Sequence, residues 1–126
     1  MLVLIVEDNR HMRRMVRELL LYALDDVQVL EAQDGRTGMS LCLSRQPDVV
    51  LMDVALPDAS GIELTARIRG SLPHTAVLVV SNNVTAVHRE QALNAGATAF
   101  VAKYEVRERL LSAIAAIREA DTHHAA

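Results

Sequence analysis

Cysteine, proline and aromatic residues are all scarce in this chain. Cys42 is the lone cysteine, which excludes an internal disulfide and any zinc site built on thiolates, and favours a reducing compartment. Tryptophan is absent, and Tyr22, Phe100 and Tyr104 are the full aromatic complement, so the core has to be built from Val, Leu, Ile, Ala and Met. No apolar run reaches the roughly 18 residues needed to span a bilayer. Nor is there an excess of positive charge: 13 Lys and Arg stand against 16 Asp and Glu, a formal net charge of −3. A strongly basic nucleic-acid binder is excluded on that ground. Met1 to Val6 passes directly from apolar residues into Glu7 and Asp8, without the basic and then apolar regions of a signal peptide. The 126 residues are 51% apolar and 23% charged, the size and balance of one globular domain. The expectation is a soluble, cytoplasmic, single-domain protein.

Short apolar runs alternate with amphipathic stretches along the whole chain. Leu2 to Val6 is apolar and β-rich and ends abruptly in acids, which suits a strand buried on both faces. Met12, Met15, Val16, Leu19, Leu20 and Ala23 then recur at helical spacing, with Arg10, Arg13, Arg14 and Arg17 on the other side as a solvated face. Val27–Ala32 is a second strand, and Asp34-Gly35 opens a helix that stops before Pro47. Val49–Met52 is a third strand ending in Asp53. Pro57, Ser60 and Gly61 mark a loop, and Ile62–Ile68 is a helix closed by Gly70. Ala76–Val80 is a fourth strand stopping at Ser81, followed by a helix over Val84–Ala95 with Gly96 as its stop. Thr98–Ala102 is a fifth strand ending at Lys103, and Glu105–Arg118 is the last helix. The domain is expected over residues 1–120, with a frayed tail over 121–126. Strict alternation of five strands and five helices implies an α/β fold with a parallel sheet, right-handed crossovers and helices on both faces.

In such folds ligands bind beyond the carboxyl ends of the strands. Those ends deliver Glu7 and Asp8, Asp53, Ser81 and Lys103. Three clustered carboxylates repel one another and call for a cation or a raised pKa. An all-oxygen set with room for water suits Mg²⁺ better than zinc or copper. Lys103 adds a fixed positive charge for an anionic group such as phosphoryl. Asp53, at the end of the central strand and before a Pro/Gly loop, is the best nucleophile toward phosphorus. Ser81 is placed to hydrogen-bond the added oxygens.

The acid pair Glu7-Asp8, the segment from Asp53 through Pro57 to Gly61, Ser81, and the segment Gly96 to Lys103 containing Phe100 together resemble the receiver domain of two-component response regulators. Each piece alone is weak, but all occur in order over nearly the whole chain. The resemblance implies a doubly wound (βα)5 sheet of flavodoxin-like, chemotaxis-regulator-like form. It implies an aspartyl phosphate at Asp53, donated by a histidine kinase or histidine phosphotransfer protein. Mg²⁺ would be bound by Asp8, Asp53 and the backbone carbonyl of Ala55, with Glu7 acting through water. Lys103 would pair with the phosphoryl group, and Ser81 with Phe100 would form the switch. The output surface would be the fourth helix, fifth strand and fifth helix, docking a downstream target or an attached output domain, or dimerising.

Three residues depart from the pattern of that family. Asn82 stands where a small residue is usual, and would either narrow access to Asp53 or itself contact the phosphate. Tyr104 replaces the frequent proline after the lysine, so no cis peptide is expected there. Phe100 replaces the tyrosine of some members and keeps the ring without its hydroxyl. A haloacid-dehalogenase-type phosphatase would need an acid at position 55, which is alanine. A flavin binder would need a Gly/Ser/Thr-rich phosphate loop in place of Glu7-Asp8-Asn9. The remaining alternatives are a docking module that works without phosphorylation and the amino-terminal receiver of a longer transcription factor. Cys42 reads as a small buried hydrophobe. His11, His74 and His88 read as surface residues, and His123 and His124 lack the spacing of a metal pair.

Overall fold

The computed structural model describes residues 1–125, with side chains placed through residue 120; the tail expected over 121–126 lies outside the fully described residues. The elements are β1 (Leu2–Val6), α1 (Arg10–Ala23), β2 (Gln28–Ala32), α2 (Gly35–Arg45), β3 (Val49–Asp53), α3 (Gly61–Ser71), β4 (Ala76–Ser81), α4 (Ala86–Asn94), β5 (Ala99–Ala102), a 3-10 turn (Lys103–Glu105) and α5 (Val106–Ala125). The strands form one parallel sheet in the order β2-β1-β3-β4-β5. The order reverses after β1, so the crossovers to β2 and β3 leave in opposite directions and the helices fall on both faces.

Alternation along the strands divides the core in two. Val3, Ile5, Leu51, Leu78, Val80 and Val101 face α1 and α5, meeting Val16, Leu20, Leu110 and Ile114. Leu4, Val6, Val50, Met52, Val77, Val79 and Phe100 face the other way, toward Cys42, Leu64, Ile68 and Ala92 of α2, α3 and α4. β3 and β4 are buried along their full length, whereas β2, at the sheet edge, is half exposed. The core is aliphatic as expected: Phe100 is its lone aromatic, and Tyr22 and Tyr104 are exposed. Cys42 is fully buried, and burial pushes its thiol up to about 11, so it is an inert apolar side chain.

Several boundaries differ from the sequence expectation. Gly70 does not close α3, which continues through Ser71 until the Leu72 N–H bonds the Ile68 carbonyl at 2.7 Å. Pro73 ends the helix instead, because it has no amide to carry it on. Gly96 does turn the chain, at φ 104°, and α2 ends on Gln46 in the left-handed region at φ 48°, just before Pro47. α4 begins at Ala86 rather than Val84. Ser81 Oγ accepts from the Asn83 N–H at 3.0 Å and Asn83 Oδ1 from the Thr85 N–H at 3.1 Å. These local bonds hold the segment in turns and delay the helix until Thr85 caps it.

Candidate functional site

The register brings the strand ends together. Val6 pairs with Met52, Met52 with Val79, and Ser81 with Ala102. Glu7 and Asp8 therefore emerge beside Asp53, the last residue of β3. Ser81 is the last residue of β4, and Lys103 follows β5 directly. Glu7, Asp53 and Ser81 are buried, while Asp8 is exposed at the rim.

Lys103 Nζ lies 2.9 Å from Glu7 Oε1 and 3.3 Å from Asp53 Oδ2. Glu7 Oε2 accepts from the Asn9 N–H at 3.0 Å, and Asp53 Oδ1 from the Ala55 N–H at 3.3 Å. Asp53 Oδ2 is enclosed and accepts no well-directed hydrogen bond, although Lys103 is within ion-pair range. Burial pushes the Glu7 carboxyl up to about 7, assisted by the Asp53 carboxylate and opposed by the Asn9 amide and Lys103. Burial works against the Lys103 charge, but its bond to Glu7 and the field of Asp53 outweigh it and the ammonium pKa is raised.

One carboxylate oxygen from each of Glu7, Asp8 and Asp53 lies within 4.8 Å of the other two. A hard oxygen-only set, with an inner oxygen that accepts no well-directed hydrogen bond, fits a divalent cation of the Mg²⁺ class. No thiol or imidazole belongs to this group, which disfavours the softer metals.

A family model for the response regulator receiver domain matches residues 3–115. The chain belongs to the response regulator receiver domain family. It is 35% identical over 118 residues to the transcriptional regulatory protein KdpE of Mycobacterium tuberculosis, covering 93% of this chain and 51% of that one. The chain thus spans about half the length of the curated relatives it matches. Among solved structures, the receiver domain of the response regulator NarL from the same organism superposes with a TM-score of 0.83 at 31% identity, over 90% of this chain and 91% of that one. A CheY-like receiver domain protein from Methanospirillum hungatei superposes with a TM-score of 0.88 at 24% identity, over 97% of each chain, and shows the shared fold.

The other expected residues of this receiver are also accounted for. Ser81 Oγ is occupied by the Asn83 amide. Phe100 is 4% exposed and is gripped by two consecutive residues of α4. The His88 ring meets it edge-on at 6.0 Å between centroids, and the Arg89 guanidinium carbon lies 4.9 Å from its centroid. His88 is thus not the surface residue the sequence suggested: it is half-buried, with Nε2 enclosed and unbonded. All described peptide bonds are trans, including that between Lys103 and Tyr104, as expected. Ala55 lies two residues past Asp53, paired with Ser60 in an isolated bridge. Among the described residues no helix is long and apolar enough to cross a membrane.

Three residues support the site in ways their place in the sequence did not assign to them. Arg13, placed with a solvated stripe, has a side chain only 16% exposed. It bonds the Glu7 carbonyl at 2.8 Å and the Asp8 carbonyl at 3.4 Å, braced by Glu31 at 3.4 Å, and so holds the turn that carries the acid pair. Its signal was faint: one arginine among four, distinguished only by lying one helical turn from the loop. Gly61 is required by contact, since a Cβ there would stand 2.1 Å from the Asp53 carbonyl oxygen. Asp58 is the third and ties the β3–α3 loop to α2; no spacing rule links these segments.

Proposed function

We propose that this receiver accepts a phosphoryl group on Asp53 and changes its binding surface in response. The observation that carries the reading is the enclosed, unbonded Oδ2 of Asp53, flanked by Lys103 and by the carboxylates of Glu7 and Asp8. Asp53 Oδ2 attacks phosphorus, the new O–P bond forms as the bond to the donor breaks, and the donor imidazole of a histidine kinase or histidine phosphotransfer protein keeps the electron pair. Asp8, Asp53 and the Ala55 carbonyl would hold Mg²⁺, with Glu7 reaching it through water. The bound cation supplies charge neutralisation for the transferring oxygens. Lys103 changes partner from the carboxylates to the new phosphoryl oxygens, which carry more negative charge. The Ser81 hydroxyl trades the Asn83 amide for a phosphoryl oxygen, and Phe100 fills the space behind it.

The output reading rests on α4, β5 and α5. Val84, Val87, Leu93 and Tyr104 are exposed apolar or aromatic side chains in and beside this region, the composition of a docking or dimer surface. The target is a separate protein or an attached output domain, and the setting is the cytoplasm. The receiver acts as a switch that catalyses only its own modification. Phosphorylation then favours an arrangement already sampled without it.

Intact mass after incubation with Mg²⁺ and acetyl phosphate tests the assignment. The parent should gain one phosphoryl group, and Asp53→Asn and EDTA-treated samples none. Labelling of Asp53→Asn to the same extent would move the acceptor elsewhere, and an unlabelled parent would favour the phosphorylation-independent docking module.

A further inference from the structure

The loop from Asp53 to α3 carries Ala55 and has no regular structure apart from the Ala55–Ser60 bridge. Its two ends are fixed, by β3 on one side and on the other by the Gly61 amide bonding the Val54 carbonyl at 2.8 Å. Near its tip, Asp58 reaches a different element. Its Oδ1 accepts from the Gly35 N–H at 2.7 Å and its Oδ2 from the Arg36 N–H at 2.9 Å. Those are the first two amides of α2. The third, Thr37, is taken by the helix's own cap, Asp34 Oδ1, at 2.7 Å. The Gly35 and Arg36 amides hold the Asp58 carboxyl below the usual carboxylate range.

Helix capping alone does not account for Asp58. Asp34 already caps α2 through the Thr37 amide, and the amide of the exposed Arg36 can be met by water, whereas that of the buried Gly35 depends on Asp58. What Asp58 adds to the apolar contact of Ala59 is a hydrogen-bonded tie between the loop and α2. The two are in direct contact, since a Cβ on Gly35 would stand 3.1 Å from both Ala59 Cβ and Asp58 Oδ1.

We infer that Asp58 is a positioning residue for the divalent-cation site, holding the loop backbone and with it the Ala55 carbonyl against the start of α2. The inference rests on the reading of the Ala55 carbonyl as a metal ligand. A backbone ligand has no side-chain torsions to adjust, so the loop alone sets its place. A loop left free must be ordered when the cation binds, and affinity falls by that cost.

Mg²⁺ alone, titrated calorimetrically into the parent, Asp58→Ala, Asp58→Asn and Asp34→Ala, tests it, alongside deuterium uptake in EDTA. Asp34→Ala and Asp58→Ala both remove a cap from α2 and should both lower the melting temperature. Only Asp58→Ala should weaken Mg²⁺ binding, by roughly tenfold, and raise deuterium uptake over residues 55–60. Asp58→Asn retains one acceptor oxygen and should fall between. Parent-like affinity and loop protection in Asp58→Ala would overturn the inference, as would an equal loss in Asp34→Ala. A parent that binds no Mg²⁺ would overturn the metal reading and the inference with it.

Discussion

Lys103 lies closer to Glu7 than to Asp53, at 2.9 Å against 3.3 Å. The lysine therefore pairs most closely with Glu7, while Asp53 Oδ2, the oxygen proposed to attack phosphorus, has the longer ion-pair contact and accepts no well-directed hydrogen bond. Burial raises the Glu7 carboxyl from 4.5 to about 7. Between those values the folded chain binds more protons than the unfolded one, so this group makes the metal-free protein less stable as pH rises through that window. Glu7→Gln cannot ionise and should flatten this part of the profile. Melting curves in EDTA should show the variant more stable than the parent at about pH 8, by on the order of 2 kcal/mol, with a smaller gap at about pH 5. A variant less stable than the parent at the higher pH would contradict the direction assigned to Glu7.

Lys103→Ala removes the cation from between two buried carboxylates. It should destabilise the metal-free protein by on the order of 3 kcal/mol at about pH 8, and by less at about pH 5 where Glu7 holds a proton. Phosphorylation of Asp53 should still be detectable by mass. Exchange protection over Ala86–Asn94 should then no longer respond to it, because the charge that follows the phosphoryl group is gone. A full response of α4 in the variant would remove Lys103 from the switch.

Two glycines of α3 should respond in opposite ways. At Gly61 a Cβ would stand 2.1 Å from the Asp53 carbonyl oxygen and 2.8 Å from its carbonyl carbon, backbone that cannot move without moving the acceptor. Gly61→Ala should cost several kcal/mol, roughly 3 or more, or prevent folding. Gly70 has open space and helical backbone, so Gly70→Ala should stabilise by about 0.5–1 kcal/mol. Urea midpoints of the two variants check both signs.

Asn82 is exposed beside Ser81 and its amide makes no hydrogen bond among the described residues. Asn82→Ala should speed labelling by acetyl phosphate a fewfold and leave the melting temperature nearly unchanged. Equal initial rates would show that the side chain points away from the path to Asp53.

Much of this molecule was legible before its structure. The apolar runs of β1, β3 and β4 announced strands buried on both faces, and the residues that end them proved to share one edge of the sheet. The readings that failed did so for physical reasons. Gly70 looked like a helix stop, but the chain needed no left-handed turn there, and Pro73 ended the helix two residues past Ser71. Val84 looked like a helix start because helical periodicity does not show the Ser81–Asn83 and Asn83–Thr85 bonds that compete with it. His88 looked like a surface residue because nothing local reveals that α4 lays it against Phe100.

The sequence by itself determined the elements, the two-sided aliphatic core and the set of groups at the strand ends, because each follows from short-range periodicity and from which residue ends a run. Partnership was decided only by the tertiary structure. Arg13 on the Glu7 carbonyl, Asp58 on the start of α2 and Lys103 on Glu7 join segments 6, 22 to 23 and 96 residues apart. Such pairs depend on strand register and on how deeply each group is withdrawn from water, and neither quantity exists until the sheet has formed.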